Sequence, residues 1–164
     1  MPAHGKVLAT KAVLRHTFLM PSHVSLTINQ ISAAQTLALR QAVLWPEHPI
    51  EASKVEGDET ALHFGGFLGG DLICVASLFQ DGGQDGGGVR LRKFATDPAH
   101  QGKGFGSDML VYLVAQAREA GASDFWFDAR ETALGFYERH GFTTKGERFF
   151  KKGLPYWRMS LALG

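Results

Sequence analysis

The amino-acid sequence predicts a mixed α/β fold (α+β-like), in which a central mixed sheet of about seven strands carries helices on both faces. Two observations predict it. Short apolar stretches typical of strands alternate with three segments in which apolar residues recur at helical spacing. Glycine and proline residues separate these stretches. The resulting order is β-α-β-β-β-α-β-α-β-β, which combines hairpins and crossover helices in one sheet.

The composition indicates an ordinary globular domain. The chain has 164 residues, of which 45% are hydrophobic and 20% are charged, enough for one domain with a substantial core. A formal net charge of +1 gives no electrostatic reason to expect a nucleic-acid partner. Because no apolar stretch reaches the roughly 18–20 residues that a membrane span needs, we expect no membrane partner either.

The chain has a single cysteine, Cys74, in the apolar run "LICVASLF". One cysteine cannot form an intramolecular disulfide, which is typical of a reducing compartment, so we expect a cytoplasmic protein. We also expect Cys74 to be a buried core thiol rather than a catalytic nucleophile, because nothing nearby would activate it.

The first residues of the chain differ from the rest. Residues 1–23 show no clear hydrophobic period and end at a break formed by Pro21 and Ser22. Met20 opens a segment that resembles an alternative start. We therefore predict that residues 1–23 form a poorly ordered extension and that 24–164 form a single domain.

The first half of this domain is predicted to form one helix and four strands. The helix covers residues 31–46, is capped by Asn29 or Ser32 and stops at Pro46. Its buried face is expected to carry Ile31, Ala34, Leu37, Ala38, Gln41 and Leu44. The strands are expected at 24–29, 60–67, 71–80 and 89–96. The acidic loop at 46–59 is interpreted as a solvated connection, and the glycine-rich segment at 81–88 as a flexible hairpin connection.

The second half is predicted to contain two helices and three strands. In order, these are a helix at 104–120, a strand at 124–129, a helix at 131–141 and strands at 142–150 and 156–163. Gly121 should end the first helix. Gly141 should close the second, with Phe142 making the hydrophobic contact of a Schellman motif. The last two strands are expected to meet at a turn over 153–155.

The segment "HQGKGFGSDML", residues 100–110, places three glycines directly before a predicted helix. It lacks the spacing of a Walker loop and of the dinucleotide fingerprint, which would need a glycine at Ser107. The N-terminus of a helix leaves free N–H donors and a partial positive charge, which suits a pyrophosphate. We expect Gly104 and Gly106 to let the backbone approach the phosphates and to permit positive φ.

The pattern Gln-x-x-Gly-x-Gly, formed by Gln101, Gly104 and Gly106, resembles the acyl-CoA signature of the GNAT superfamily of N-acetyltransferases. The strand "RLRKFAT", the turn "DPAHQGKGFG" and the later "ALGFYERHGF" stand in that family's order and at its spacing. The resemblance covers roughly residues 24–163. It implies a GNAT-type fold, whose sheet is splayed around the acyl-CoA site.

The resemblance also implies an activity and its site. The expected reaction moves an acetyl group from acetyl-CoA, a cosubstrate, to a primary amine of a small-molecule or protein acceptor, by direct attack in a ternary complex. Tyr137 is the implied catalytic acid, which protonates the departing thiolate, and its pKa is expected to be modestly depressed. The implied cofactor-binding residues are Phe94, Ala95, Thr96, Gln101, Gly102, Lys103, Gly104, Phe105, Gly106 and Arg130. The histidines show no metal-ligand spacing, so we predict no metal.

This sequence departs from the family's pattern at the general base. An alkylammonium of pKa ~10.4 is rarely neutral at pH 7, so a base or a water chain leading to one is expected. Many members place a glutamate on the strand before the glycine turn, whereas this strand carries Arg90, Arg92 and Lys93. The candidate bases are Glu47, Asp58, Glu59, His63 and Asp128.

Two further positions leave alternatives open. Arg130 stands where the family often has an asparagine, so it binds a phosphate or an acidic substrate, or it pairs with Glu131 or Glu138. Tyr156 and Trp157 either line the acceptor site or are structural aromatic residues in the core or at its rim. A non-catalytic acyl-CoA-binding regulatory module is the alternative to an enzyme, and the oligomeric state stays open between a monomer and a homodimer.

Overall fold

The computed structural model describes residues 26–82 and 86–164, and within them it contains one seven-stranded sheet. The strands are β1 (Thr27–Ile31), β2 (Leu62–Leu68), β3 (Asp71–Gln80), β4 (Gly88–Thr96), β5 (Asp124–Arg130), β6 (Thr143–Lys151) and β7 (Leu154–Ala162). Their order across the sheet is β1-β2-β3-β4-β5-β7-β6. Every neighbouring pair is antiparallel except β4 and β5, which are parallel. The predicted mixed sheet is confirmed.

Three α-helices accompany the sheet in the part of the chain that the structure describes. They are α1 (Ala33–Leu39), which continues as a π-helical turn (Arg40–Leu44), α2 (Phe105–Glu119) and α3 (Leu134–Glu138). The predicted helix at 131–141 is therefore shorter, because its first residues, Glu131–Ala133, form a 3-10 turn. The last two strands meet at Lys152 and Gly153, both with positive φ, in a two-residue hairpin. The turn predicted over 153–155 is wrong, since Pro155 already lies within β7.

Helix α1 begins at a capping box. The Ser32 hydroxyl accepts the N–H of Gln35, and the Gln35 side chain accepts the N–H of Ser32. The buried residues that follow are Thr36 and Arg40, one turn apart, whereas Ala34 and Ala38, both assigned to the buried face, are exposed. The predicted face of this helix is wrong because a polar network, not an apolar stripe, fixes its orientation.

Arg40 is the centre of that network and is fully buried. Its guanidinium donates to both carboxylate oxygens of Asp58, at 2.8 and 3.0 Å, and to the Ser77 hydroxyl at 2.9 Å. It also donates to the carbonyl oxygen of Ser53 at 3.1 Å. His63 contacts the same Ser77 hydroxyl at 2.7 Å. The loop predicted to be solvated thus supplies two partners of Arg40, the mostly buried carboxylate of Asp58 and the carbonyl oxygen of Ser53, while Ser77 connects Arg40 to the sheet.

Helices α1 and α2 cover opposite faces of the sheet, as predicted. Successive residues of a strand point to opposite faces. On β3, Ser77 faces Arg40 and hence α1, while Ala76 and Leu78 belong to the apolar core that includes α2. The buried residues of α2 in that core are Phe105, Met109, Leu110, Tyr112, Leu113, Val114 and Ala117.

The beginning of the chain lies outside the described residues. The strand predicted at 24–29 is observed at Thr27–Ile31, and residues 1–25 are not described. We propose that residues 1–20 are dispensable. Their deletion should leave the melting temperature nearly unchanged in a thermal denaturation experiment, because they lack a core pattern. A large loss of stability would show that the segment docks on the domain.

Candidate active site

The site begins where β4 and β5 separate. Their parallel ladder contains only Gly88↔Asp124, Val89↔Phe125 and Arg90↔Trp126. Beyond it, β4 continues to Thr96 against β3, and β5 continues to Arg130 against β7. The facing edges, residues 91–96 and 127–130, are therefore unpaired with each other. A cleft of about 560 Å³ opens between them.

A β-bulge lies in the ladder between β3 and β4, at the part of β4 that lines the cleft. Ala95 pairs with Val75 and Arg92 with Ser77, so Lys93 and Phe94 together stand opposite one residue of β3. Lys93 has a φ of +54°, an uncommon value for a residue with a side chain. Bulges of this kind redirect side chains and bend the strand. Here the bulge accompanies the separation of β4 from β5, and both of its residues line the cleft.

The glycine turn lies at the end of β4. The side chain of Gln101 donates to the carbonyl oxygen of Thr96 at 2.9 Å and so ties the turn to the strand. Gly102 and Gly104 have φ values of +75° and +88°, with open space around each, and Gly104 is the N-cap of α2. The expected positive φ at Gly106 is wrong, because this residue is already inside α2. The N-terminus of α2 is thus exposed backbone suited to an anion.

The structure brings four of the predicted cofactor and catalytic side chains to the cleft walls: Phe94, Gln101, Arg130 and Tyr137. Thr96 ends β4, and Gly102, Lys103 and Gly104 are exposed in the turn beyond it. The side chains of Ala95 and Phe105 are buried, so only their backbone is available to a ligand.

Arg130 makes neither of the ion pairs that the sequence left open. Its Nε donates to the Tyr156 hydroxyl at 3.3 Å. Glu131 is bound instead by Arg148 and by the indole N–H of Trp157. Of the two aromatic residues considered for the acceptor wall, Tyr156 lines the cleft and Trp157 does not.

Tyr137 projects from α3 into the cleft. Its ring packs on Phe127, with 4.4 Å between ring centroids, and on Phe136. Burial raises the pKa of Tyr137 to about 12. The expected modest depression of this pKa is therefore wrong, and the hydroxyl keeps its proton at neutral pH.

The C-terminal end of α3 fixes Tyr137 from the backbone side. The N–H of Phe142 donates to the carbonyl oxygen of Tyr137 at 3.2 Å, and the N–H of Gly141 to that of Glu138 at 3.0 Å. Gly141 has a φ of +90°. This is the predicted Schellman motif, with Phe142 buried beneath it.

Of the candidate general bases, only Asp128 lines the cleft. Both ring nitrogens of His63 are hydrogen-bonded, to Ser77 and to the carbonyl oxygen of Asp58, so His63 is structural. Asp58 is held by Arg40, while the other two candidates, Glu47 and Glu59, are exposed. Burial raises the pKa of Asp128, but hydrogen bonds from Arg158 and Lys151 outweigh it and lower the pKa overall. Asp128 is therefore a weak base.

Cys74 belongs to the core, as predicted. Its side chain is fully buried, and burial raises the pKa of the thiol to about 11. The Thr96 hydroxyl contacts the sulfur at 3.4 Å. A neutral, enclosed thiol of this kind is a poor nucleophile.

One wall of the cleft was not identified from the sequence. It comes from the end of the first helix, which contributes Val43, Leu44 and Trp45. The ammonium group of Lys152, at the tip of the β6–β7 hairpin, lies 3.7 Å from the centre of the Trp45 ring. No local pattern indicates this contact, which depends on how two distant loops meet.

Within residues 26–82 and 86–164, no group of three or more His, Cys, Asp or Glu side chains lies close enough to hold a metal ion. In the same part, no helix is both long and apolar enough to cross a membrane.

The family model for the acetyltransferase (GNAT) domain matches residues 48–163. The N-acetyltransferase YitI of Bacillus subtilis, named as uncharacterized, is 30% identical over 134 residues, which are 79% of this chain and 90% of that protein.

Solved structures share the fold. An acyl-CoA N-acyltransferase from Pseudomonas aeruginosa is 19% identical with a TM-score of 0.67, covering 84% of this chain and all of its own. The yncA protein of Salmonella typhimurium, solved with its cofactor acetyl-CoA, is 20% identical with a TM-score of 0.65, covering 85% of this chain and 94% of its own.

Proposed function

Because the chain belongs to the GNAT acetyltransferase family, we propose that it transfers the acetyl group of acetyl-CoA to a primary amine within a ternary complex. The separation of β4 and β5 is the observation that carries this proposal, since it leaves two strand edges free to bind an extended ligand. The fold shared with yncA, which was solved with acetyl-CoA, supports the choice of cosubstrate. A non-catalytic module is not retained, because the relatives are named N-acetyltransferases.

The proposed position of the cosubstrate follows from these two features. The amides of the pantetheine arm pair with the free backbone of residues 94–96, as a strand would. The pyrophosphate lies on the N-terminus of α2, where free N–H groups and the helix dipole favour an anion. Gly102 and Gly104 leave that backbone uncovered, and Lys103 adds a cation beside it.

The proposed reaction forms a C–N bond and breaks a C–S bond. The neutral amine attacks the thioester carbonyl carbon, and the acetyl group leaves the sulfur. The Tyr137 hydroxyl donates its proton to the sulfur as the C–S bond breaks. The nitrogen releases one proton, which returns through water to the Tyr137 oxygen, so the products are an amide, a free thiol and the restored tyrosine. A protonated tyrosine in the cleft is suited to this role because it is ready to donate at neutral pH.

Cosubstrate binding can be tested at Lys103. Acetyl-CoA at millimolar concentration should raise the melting temperature of the wild type, because a ligand that binds the folded state stabilises it. Lys103→Glu should weaken binding about three- to tenfold, since it reverses one exposed charge beside the pyrophosphate. The helix itself should tolerate the change, because a carboxylate is favourable near a helix N-terminus.

The control is Lys145→Glu, the same charge change at an exposed position on β6. It should bind acetyl-CoA like the wild type. Absence of any thermal shift in the wild type would refute the proposed function, and equal weakening by both variants would refute the proposed pyrophosphate position.

A further inference from the structure

The charge of the cleft is strongly unbalanced. Among the described residues that line it, five side chains are cationic and one is a carboxylate: Arg90, Arg92, Lys93, Arg130 and Lys151 against Asp128. The net charge of the whole chain is only +1. The positive charge is therefore concentrated in the cleft rather than spread over the molecule.

Part of this charge is already neutralised within the protein. Arg90 and Lys151 each contact Asp128 at 3.2 Å, and Arg158 approaches the same carboxylate at 3.0 Å. Asp128 thus serves three cations at once. Its negative charge is therefore compensated within the protein and does not attract a further cationic ligand.

Three of these cations, Arg92, Lys93 and Arg130, have no carboxylate partner in the described part of the chain. Arg130 donates to a tyrosine hydroxyl, whereas neither Arg92 nor Lys93 makes an ion pair or a side-chain hydrogen bond there. Both are half-buried and lie near aromatic rings: the Arg92 guanidinium is 5.6 Å from the centre of Phe79, and the Lys93 ammonium is 5.9 Å from the centre of Trp45. Two adjacent, partly desolvated cations that are not ion-paired with a described carboxylate favour binding of an anion.

The phosphates of the cosubstrate are too far away to supply that anion. Arg92 precedes Thr96 by four residues, which is about 13 Å along a strand, and the glycine turn lies beyond Thr96. Arg92 and Lys93 therefore lie at the end of the cleft opposite the N-terminus of α2. In the proposed function, this end receives the acceptor.

Resting on the proposed function, we propose that the acceptor is a small amine that also carries an anionic group, a carboxylate or a phosphate, bound by the side chains of Arg92 and Lys93. The cleft holds about 560 Å³ and has to contain the thioester arm as well, which leaves a space suited to a small acceptor. The anion compensates the two cations, while the amine is directed towards Tyr137.

The same cations explain how the amine can become neutral although β4 lacks the glutamate that the family often has there. A simple alkylammonium is repelled by the positive charge of Arg90, Arg92, Lys93 and Lys151, so this surrounding favours the neutral, nucleophilic form of the amine. The acceptor's own anion then provides the attraction that an ammonium group lacks. Recognition and activation of the acceptor therefore use the same residues.

The test compares matched amines at saturating acetyl-CoA by thiol release. One pair is β-alanine against 3-aminopropanamide, and the other is O-phosphoethanolamine against ethanolamine. The anionic member of at least one pair should have a kcat/KM about tenfold or more above its neutral partner, as expected for charge-assisted hydrogen bonds. The pair that responds identifies a carboxylate or a phosphate as the preferred group.

Variants of the two cations make the test specific. Arg92→Gln and Lys93→Gln should each lower the ratio of anionic to neutral kcat/KM by about tenfold. Arg92→Lys, which keeps the charge, should retain most of the preference. The matched control is Arg118→Gln, at an exposed position on α2 outside the cleft, which should keep the wild-type ratio. Melting temperatures establish that each variant is folded.

Each outcome decides the proposal. Equal or faster reaction of the neutral amines overturns the anion preference and leaves acetyl transfer intact. If no amine reacts, N-acetyl-β-alanine and N-acetyl-O-phosphoethanolamine are added to the protein saturated with CoA. A rise in melting temperature with an anionic product, but not with N-acetylethanolamine, supports the proposal, and no rise overturns it. Failure of acetyl-CoA itself to bind refutes the proposed function instead.

Discussion

Replacing Tyr137 with phenylalanine should lower kcat at least about tenfold, because general acid catalysis typically contributes about 10²–10⁴-fold. The KM for acetyl-CoA should stay near the wild-type value, because the ring and its contact with Phe127 remain. The measurement is steady-state thiol release, with a single-turnover experiment to establish that the chemical step limits the rate. An unchanged kcat under that condition would make Tyr137 a structural residue, with water protonating the thiolate.

The raised pKa of Tyr137 determines how this effect depends on pH. A phenol with a pKa of about 12 keeps its proton far into the alkaline range. Full transfer of that proton to a free alkyl thiolate, of pKa ~8.5, is uphill by about 5 kcal/mol, so donation has to accompany C–S cleavage. The ratio of wild-type to Tyr137→Phe kcat should therefore stay constant between about pH 6 and pH 9. A ratio that declines towards pH 9 would indicate that the pKa of Tyr137 is depressed rather than raised.

Replacing Arg40 with methionine should destabilise the fold by about 3–5 kcal/mol, because Asp58 would lose its bidentate partner in a mostly buried position. Urea denaturation of the variant measures this loss. Arg40→Met combined with Asp58→Asn should recover part of it, since the uncompensated charge is gone. Lys54→Met, which removes an exposed ion pair with Glu51, is the matched control and should cost less than about 1 kcal/mol.

The Arg40 network also has a pH signature. Burial raises the pKa of Asp58, but hydrogen bonds from Arg40 and from the Val55 backbone outweigh it, so the pKa is lowered overall. A carboxyl group with a depressed pKa contributes stability that is present above its unfolded value, about 3.9, and is lost as the pH falls through the folded value. Acid should therefore destabilise the wild type more steeply than Arg40→Met. Parallel acid transitions would contradict this assignment.

Local patterns were sufficient to predict much of the fold and part of the candidate site. The strands, the helix after the glycine turn and the Schellman motif at Gly141 depend on residues close in sequence, and they were found where expected. The same holds for Cys74, whose apolar neighbours identify it as a core residue.

Other features depend on residues far apart in the chain. The buried face of α1 follows from the contact of Arg40 with Ser77, 37 positions away, which no helical pattern reveals. The bulge at Lys93 follows from the register of β4 against β3. The Trp45 wall follows from the meeting of two loops. The sequence shows that β4 carries cations where the family often has a glutamate. It does not show that these cations line one cleft together with cations from other strands.

The short ladder between β4 and β5 has a mechanical consequence. With three residue pairs, it is a short seam between a half-sheet of four strands and one of three. A ligand that forms hydrogen bonds with the free edge of β4 and packs on β5 lengthens that seam and connects the two half-sheets. Ligand binding and the cooperativity of unfolding are then thermodynamically linked. The protein with ligand bound unfolds as one unit, whereas the ligand-free protein can open along the seam.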